Sequence, residues 1–148
     1  MSFSIDVSEA TTCLRKLITR LDDLVPLYDA IGGFAVKEIE NRIMETKVSP
    51  DGVPWAPWRP FTEHMRSISP NYGRGINWET GAFLQSVKFS VDGNFEVIIE
   101  SDSPYGEEIQ EGNGRHRAAR PVMGWNERDL MIIQRCALNY FETGSVRI

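Results

Sequence analysis

Two runs of alternating side chains, separated by Asp92-Gly93-Asn94, constrain this chain more than any other stretch. Val87, Phe89 and Val91 alternate with Ser86, Lys88 and Ser90, while Phe95, Val97 and Ile99 alternate with Glu96, Ile98 and Glu100. A period of two predicts strands with one apolar and one wet face, and the short polar break predicts an antiparallel hairpin. A two-residue Asp92-Gly93 loop sets Phe89 against Glu96 and Val97 against Lys88. A three-residue loop over 92–94 instead pairs Val91 with Phe95, Phe89 with Val97 and Val87 with Ile99, with Asn94 near the left-handed region. The hairpin offers the largest continuous apolar surface, so the amphipathic segments elsewhere are expected to pack on it. The expected fold class is α+β: a small antiparallel sheet centred on residues 85–100, packed by N-terminal and C-terminal helices, with an extended Pro/Trp arm.

Asp6 and Glu9 read as a capping box for a first helix with Ala10, Leu14, Leu17, Ile18, Leu21, Leu24 and Val25 at helical spacing, ending at Pro26. A second helix follows through Leu27, Ile31, Phe34, Ala35, Ile39 and Ile43. Its Gly32-Gly33 pair costs about 1 kcal/mol per glycine relative to Ala and predicts a kink or close packing by a neighbour. Lys37, Glu38, Glu40 and Arg42 read as its solvated flank. Further on, Ser103, Pro104 and Gly112 bound a short helix with Tyr105 and Ile109 on one side. Asn126 and Asp129 open a last helix with Leu130, Ile133, Ala137, Tyr140 and Phe141 as its core stripe, and Gly144 lies beyond its end. The second and last helices are expected to cover the sheet, while Met131 and Ile132 widen the last helix's apolar surface toward a neighbour.

Between the helices and the hairpin lies a segment rich in proline and aromatic residues. Pro50-Asp51-Gly52 predicts a turn. Pro54, Pro57 and Pro60 then recur every three residues, as do Trp55, Trp58 and Phe61. Three residues per turn is the polyproline II period, which lines the aromatics along one edge of a stiff arm. That stripe either packs on its own core or docks on an adjacent subunit or partner, where rigid aromatics dominate interface energetics. Residues 113–121 carry Arg115, Arg117 and Arg120, a local basic patch suited to an acidic neighbour or to phosphate.

A chain of 148 residues suits one domain, with a helical region at 1–47, the arm and loop at 48–77, and the sheet and C-terminal helix at 78–148. Sixteen Lys and Arg against 21 Asp and Glu give a formal charge of −5, which argues against broad wrapping of nucleic acid. Cys13 and Cys136 read as small apolar helix residues rather than a disulfide. No secretory signal or membrane span is expected. The sequence carries no nucleophile elbow, phosphate-cradling glycine loop or zinc-protease helix, and His64 and His116 with two distant cysteines make a poor metal set. Glu107 and Glu108 are adjacent on a helix and point apart, unlike a glycosidase pair. The expectation is a non-enzymatic protein without a metal or cofactor.

The order of signals resembles the phage virion morphogenesis family, the tail-completion proteins of Mu-like and related tailed phages. The residues that carry the resemblance are Pro50-Asp51-Gly52-Val53-Pro54-Trp55, Thr80-Gly81-Ala82-Phe83-Leu84-Gln85-Ser86-Val87, Pro104-Tyr105-Gly106, Gln110 with Gly112, Ala119-Arg120-Pro121-Val122-Met123-Gly124, and Asp129. Phe83, Gly106, Ile109 and Val122-Met123 stand where the family pattern more often has Leu, Ala, His and Phe-Leu. The resemblance implies a structural virion protein at the head–tail junction, a tail-completion or neck subunit of a hexameric or other ring, made in the host cytoplasm. Its implied partners are copies of itself, the tail tube or terminator, and head-completion or connector proteins, with incidental contact to genomic DNA in the lumen and none to membrane. Trp55, Trp58, Phe61, Tyr105, Arg115, Arg117 and Arg120 are the expected protein-interface residues. The alternatives are a cell-wall-binding or wall-degrading virion module, motivated by Trp55, Trp58, Trp78 and Trp125 beside carboxylates, and a DNA-end binder using the arginine loop.

Overall fold

One long helix packs against both strands of the hairpin and against the last helix, and its sequence explains why. In the computed structural model, which describes residues 8–70, 75–77, 80–93, 96–114 and 117–148, α2 spans Val25–Asn41 and buries Leu27, Gly32, Phe34, Ala35 and Ile39. Its apolar positions follow the helical period, and Pro26 sits in its first turn, where the missing N–H costs nothing. Pro26 therefore starts the second helix rather than ending the first, since α1 already stops at Asp22 (Ser8–Asp22). α2 runs on into a π turn at Arg42–Thr46, which Lys47 closes in the left-handed conformation.

The hairpin is the only sheet among the described residues. β1 (Val87–Asp92) pairs antiparallel with β2 (Glu96–Ser101), matching Phe89 with Ile99, Val91 with Val97 and Val87 with Ser101. This corrects the expected register by two residues. The loop still has three residues, but they are Gly93 to Phe95, and Gly93 takes the left-handed conformation at φ 58°. Asn94 and Phe95 themselves lie outside the described residues. A shift of two preserves which face each residue occupies, so Val87, Phe89, Val91, Val97 and Ile99 remain the more buried side. On the other face Lys88 bridges Asp102 at 2.7 Å and Glu100 at 3.6 Å.

α2 covers both strands, and the fold class is α+β. The C-terminal helix α6 (Glu127–Thr143), expected to share that task, packs instead on α2 and α1. Two apolar clusters result. The first joins Ile39, Ile43, Trp55, Phe83, Val87, Ile109 and Val122 under the hairpin. The second, at the other end of α2, joins Leu27, Cys136 and Tyr140, with Leu24, Ile31, Ala137 and Phe141 around them. Of the last helix's expected stripe Tyr140 is buried and Leu130 is exposed, and Cys136 is buried beside Tyr140. Tyr140 donates its hydroxyl proton to the Asp23 carbonyl, which ties α6 to the α1–α2 corner.

α1 departs most from expectation. None of its residues is buried, and Leu14, Ile18 and Leu21 are all more than half exposed. Among the described elements only α6 packs closely against it, and Arg20 reaches the Phe141 carbonyl. Asp6, the proposed cap, lies outside the described residues. Cys13, expected among apolar neighbours, is exposed. Burial pushes the Cys136 thiol above its ordinary range. A thiol-reactive disulfide reagent should therefore label Cys13 within seconds to minutes and Cys136 only on unfolding, as a mass-resolved labelling time course will show.

Gly32 and Gly33 serve different ends. A Cβ on Gly32 would stand 2.2 Å from the Phe89 ring, whereas one on Gly33 would meet nothing within 4 Å. Gly32 thus reflects close approach of the sheet, with α2 continuous through both glycines. Gly32→Ala is expected to destabilise by about 1–3 kcal/mol through overpacking. Gly33→Ala should stabilise by up to about 1 kcal/mol. Chemical denaturation of the two variants checks both signs.

Candidate functional site

The residues with chemistry to offer gather around the strap at 119–124, between α5 (Gly106–Glu111) and α6. A strap with no strand partner needs other partners for its backbone groups, and here the Ile109 carbonyl takes the Arg120 N–H while side chains satisfy the groups that follow. The Gln110 carboxamide spans it, its Oε1 accepting from the N–H of Val122 (3.1 Å) and Met123 (3.2 Å) and its Nε2 donating to the Met123 carbonyl (3.1 Å). The Arg42 Nη1 donates to the carbonyls of Val122 (2.8 Å) and Gly124 (2.7 Å). Its Nη2 donates to Asp129 Oδ2 at 2.6 Å, with both side chains almost fully buried.

Asp129 is held in turn by the start of α6. Asn126 Oδ1 accepts from the Asp129 N–H, and Asp129 Oδ2 accepts from the Asn126 N–H, the reciprocal pair of a capping box. Arg42 was read as part of a solvated flank, and the structure corrects that. It lies seven residues after Ala35 and three after Ile39, on the buried face of the helix, and a charge on that stripe was the available signal.

The aromatic arm meets the strap from the other side. Pro50-Asp51-Gly52 makes the expected turn, with the Gly52 N–H donating to the Ser49 carbonyl at 2.9 Å. Trp55 is 6% exposed and donates Nε1–H to the Pro121 carbonyl at 3.0 Å. Arg120, 9% exposed, donates Nε–H to the Ala56 carbonyl (3.0 Å) and Nη2–H to that of Pro57 (3.2 Å). Trp55 and Arg120 thus bind each other's segments within the subunit. Arg has the planar fork that this two-carbonyl geometry requires.

The three-residue register ends before Phe61, because α3 (Pro60–Ser67) begins at Pro60. Trp58 is half-buried beneath the Arg66 guanidinium, 4.9 Å from its ring centroid. Phe61 is 75% exposed and continues with Met65 and Ile68 as an open stripe. Trp125 stacks on Phe34 at 6.2 Å. The three described tryptophans therefore sit in three separate settings; Trp78 lies outside the described residues.

A cleft of about 380 Å³ opens beside this frame, lined in part by Arg66, Asn77, Thr80, Tyr105 and Arg117. Tyr105 is exposed and Ile109 buried, and both line this cleft, in keeping with the shared side that sequence assigned to them. Ser103 accepts from the Tyr105 N–H (3.3 Å) in the turn before that helix. Arg117 approaches Glu108 at 3.9 Å. Arg115 lies outside the described residues. The Arg120 pKa is pushed down, first by burial and then by the nearby positive charges of Arg117 and Arg66. Sequence reasoning missed Arg66 and Asn77, which no motif marks as functional; Gln110 stood among the residues of the resemblance without a structural role assigned to it. Among the described residues no group of His, Cys, Asp or Glu could hold a metal ion, and no helix is long and apolar enough to cross a membrane.

This arrangement braces backbone and presents surface; it is the build of a structural protein whose buried polar groups hold its own segments in register. The comparison with known families gives the particular assignment: the phage virion morphogenesis family matches residues 5–142, and the chain belongs to it. Its role is structural, in assembly of the bacteriophage virion. No curated protein and no solved structure matches it.

The buried ion pair supplies a sharp stability prediction. Arg42→Met leaves Asp129 charged and unpaired and should cost about 3–5 kcal/mol, whereas Arg42→Met combined with Asp129→Leu should recover part of that loss. Thermal unfolding of the single and double variants measures the difference.

Proposed function

We propose that the chain is a tail-completion subunit of the phage neck, one member of a ring that joins tail to head. The family assignment over residues 5–142 carries this reading. The surface supports it, since α3 exposes Phe61, Met65 and Ile68 and α1 exposes Leu14, Ile18 and Leu21. A ring subunit needs two different patches that meet on successive copies. In this reading Trp58, Phe61, Tyr105 and Arg117 form a docking edge, and Trp55 and Arg120 fix the arm that presents it. Arg115 adjoins the edge in sequence. A net charge of −5 lets genomic DNA pass without adhering.

The direct test uses phage unable to make the protein. Infected cells should accumulate separate heads and tails, which purified protein then joins; joined, infectious particles forming without it would sink the proposal. Phe61→Ala removes a side chain that is 75% exposed, so unfolding should shift by no more than about 0.5 kcal/mol. Joining activity in the same extract should fall at least about tenfold if Phe61 is an interface anchor.

A further inference from the structure

The cleft beside the strap has a lining that the bracing role does not use. Its polar lining is rich in donors: the guanidinium groups of Arg66 and Arg117, the Asn77 carboxamide and the Thr80 hydroxyl. No Asp or Glu lines it among the described residues. Phe83 and Ile109 supply an apolar wall.

Asn77 is the most telling of these residues. It holds the left-handed conformation at φ 61°, uncommon outside glycine, and its Nδ2 is buried with no acceptor. Buried amides are ordinarily satisfied, and strained backbone with an orphaned donor concentrates where a ligand completes the arrangement. Arg117 approaches the Glu108 carboxylate only to 3.9 Å, both partly exposed, which leaves room for a better acceptor. The depressed pKa of neighbouring Arg120 reports, after burial, the same excess of positive charge.

We propose that this cleft receives a carboxylate side chain from an acidic, apolar-flanked segment of a neighbouring virion protein. A carboxylate offers two oxygens with about four acceptor sites, enough for Asn77 and Arg117 together. A glutamate side chain brings methylenes that lie against Phe83 and Ile109, where a nucleic-acid phosphate brings a polar sugar. The chain's charge of −5 also repels a polyanion at long range, while a cleft of about 380 Å³ admits one or two side chains. The naming of a virion protein as the source rests on the neck reading above; the preference for a carboxylate does not.

Isotope-labelled full-length protein titrated with N-acetyl-Leu-Glu-amide, and followed by NMR, tests the proposal. The Asn77 side-chain amide and Arg117 Nε resonances should move saturably. The matched N-acetyl-Leu-Gln-amide should leave them in place. Arg117→Gln, with an otherwise unchanged spectrum, should weaken binding about tenfold, as expected for one charge-assisted hydrogen bond. No movement with the Glu peptide, or equal movement with the Gln peptide, overturns the carboxylate site. Tighter binding of oligothymidylate or inorganic phosphate at the same resonances assigns the cleft to phosphate and overturns it equally. Peptide binding that persists while the protein fails to join heads to tails sinks the neck reading and leaves the carboxylate site standing.

Discussion

Arg42 and Asp129 form the interaction on which the rest of the structure depends. An ion pair this buried loses much of its hydration, and its attraction repays that loss only when every other donor and acceptor is also placed. Here they are placed: Arg42 divides its fork between one carboxylate and two strap carbonyls, and Asp129 also accepts from the N–H of Asn126. Four parts of the chain are thereby tied at one point: the α2 end, the strap, the Asn126 cap and α6. Its contribution is geometric more than energetic, because a pair of hydrophobic residues could fill the volume but could not hold two carbonyls at fixed positions.

That knot explains why the segments that carry the family resemblance are mostly internal. Trp55 from the proline-rich turn reaches the Pro121 carbonyl, Arg120 reaches back to Ala56 and Pro57, and Gln110 binds Val122 and Met123. Each of these three side chains completes backbone groups of another motif. Such residues support a surface without being that surface. The exposed groups that remain, on α3, on α1 and around the arginine cleft, are where neighbouring proteins have something to hold.

The hairpin and the helices show how far periodicity reaches. Alternation separated core from solvent on both strands, yet registers two residues apart share that alternation, so pairing turned on which residue could occupy a left-handed loop position. Gly93 does so without a Cβ. Helical spacing found the α2 stripe and the Asn126–Asp129 start of α6. It also marked a stripe on α1, of which Leu14, Ile18 and Leu21 stand exposed. Amphipathicity shows that a helix has an apolar face and is silent on whether this chain supplies the cover.

By itself, then, the amino-acid sequence determined the α+β class, the hairpin, the caps and turns, and membership of a virion-building family, because these follow from short-range spacing and local backbone preference. The tertiary structure alone decided that Arg42 is a buried anchor, that Trp55 and Arg120 face inward while Phe61 faces out, and that Arg66, Asn77 and Arg117 share one cleft. Those outcomes depend on which distant segment arrives with an acceptor, a ring or a carbonyl. The Arg42–Asp129 partners stand 87 positions apart, a separation across which no spacing rule applies.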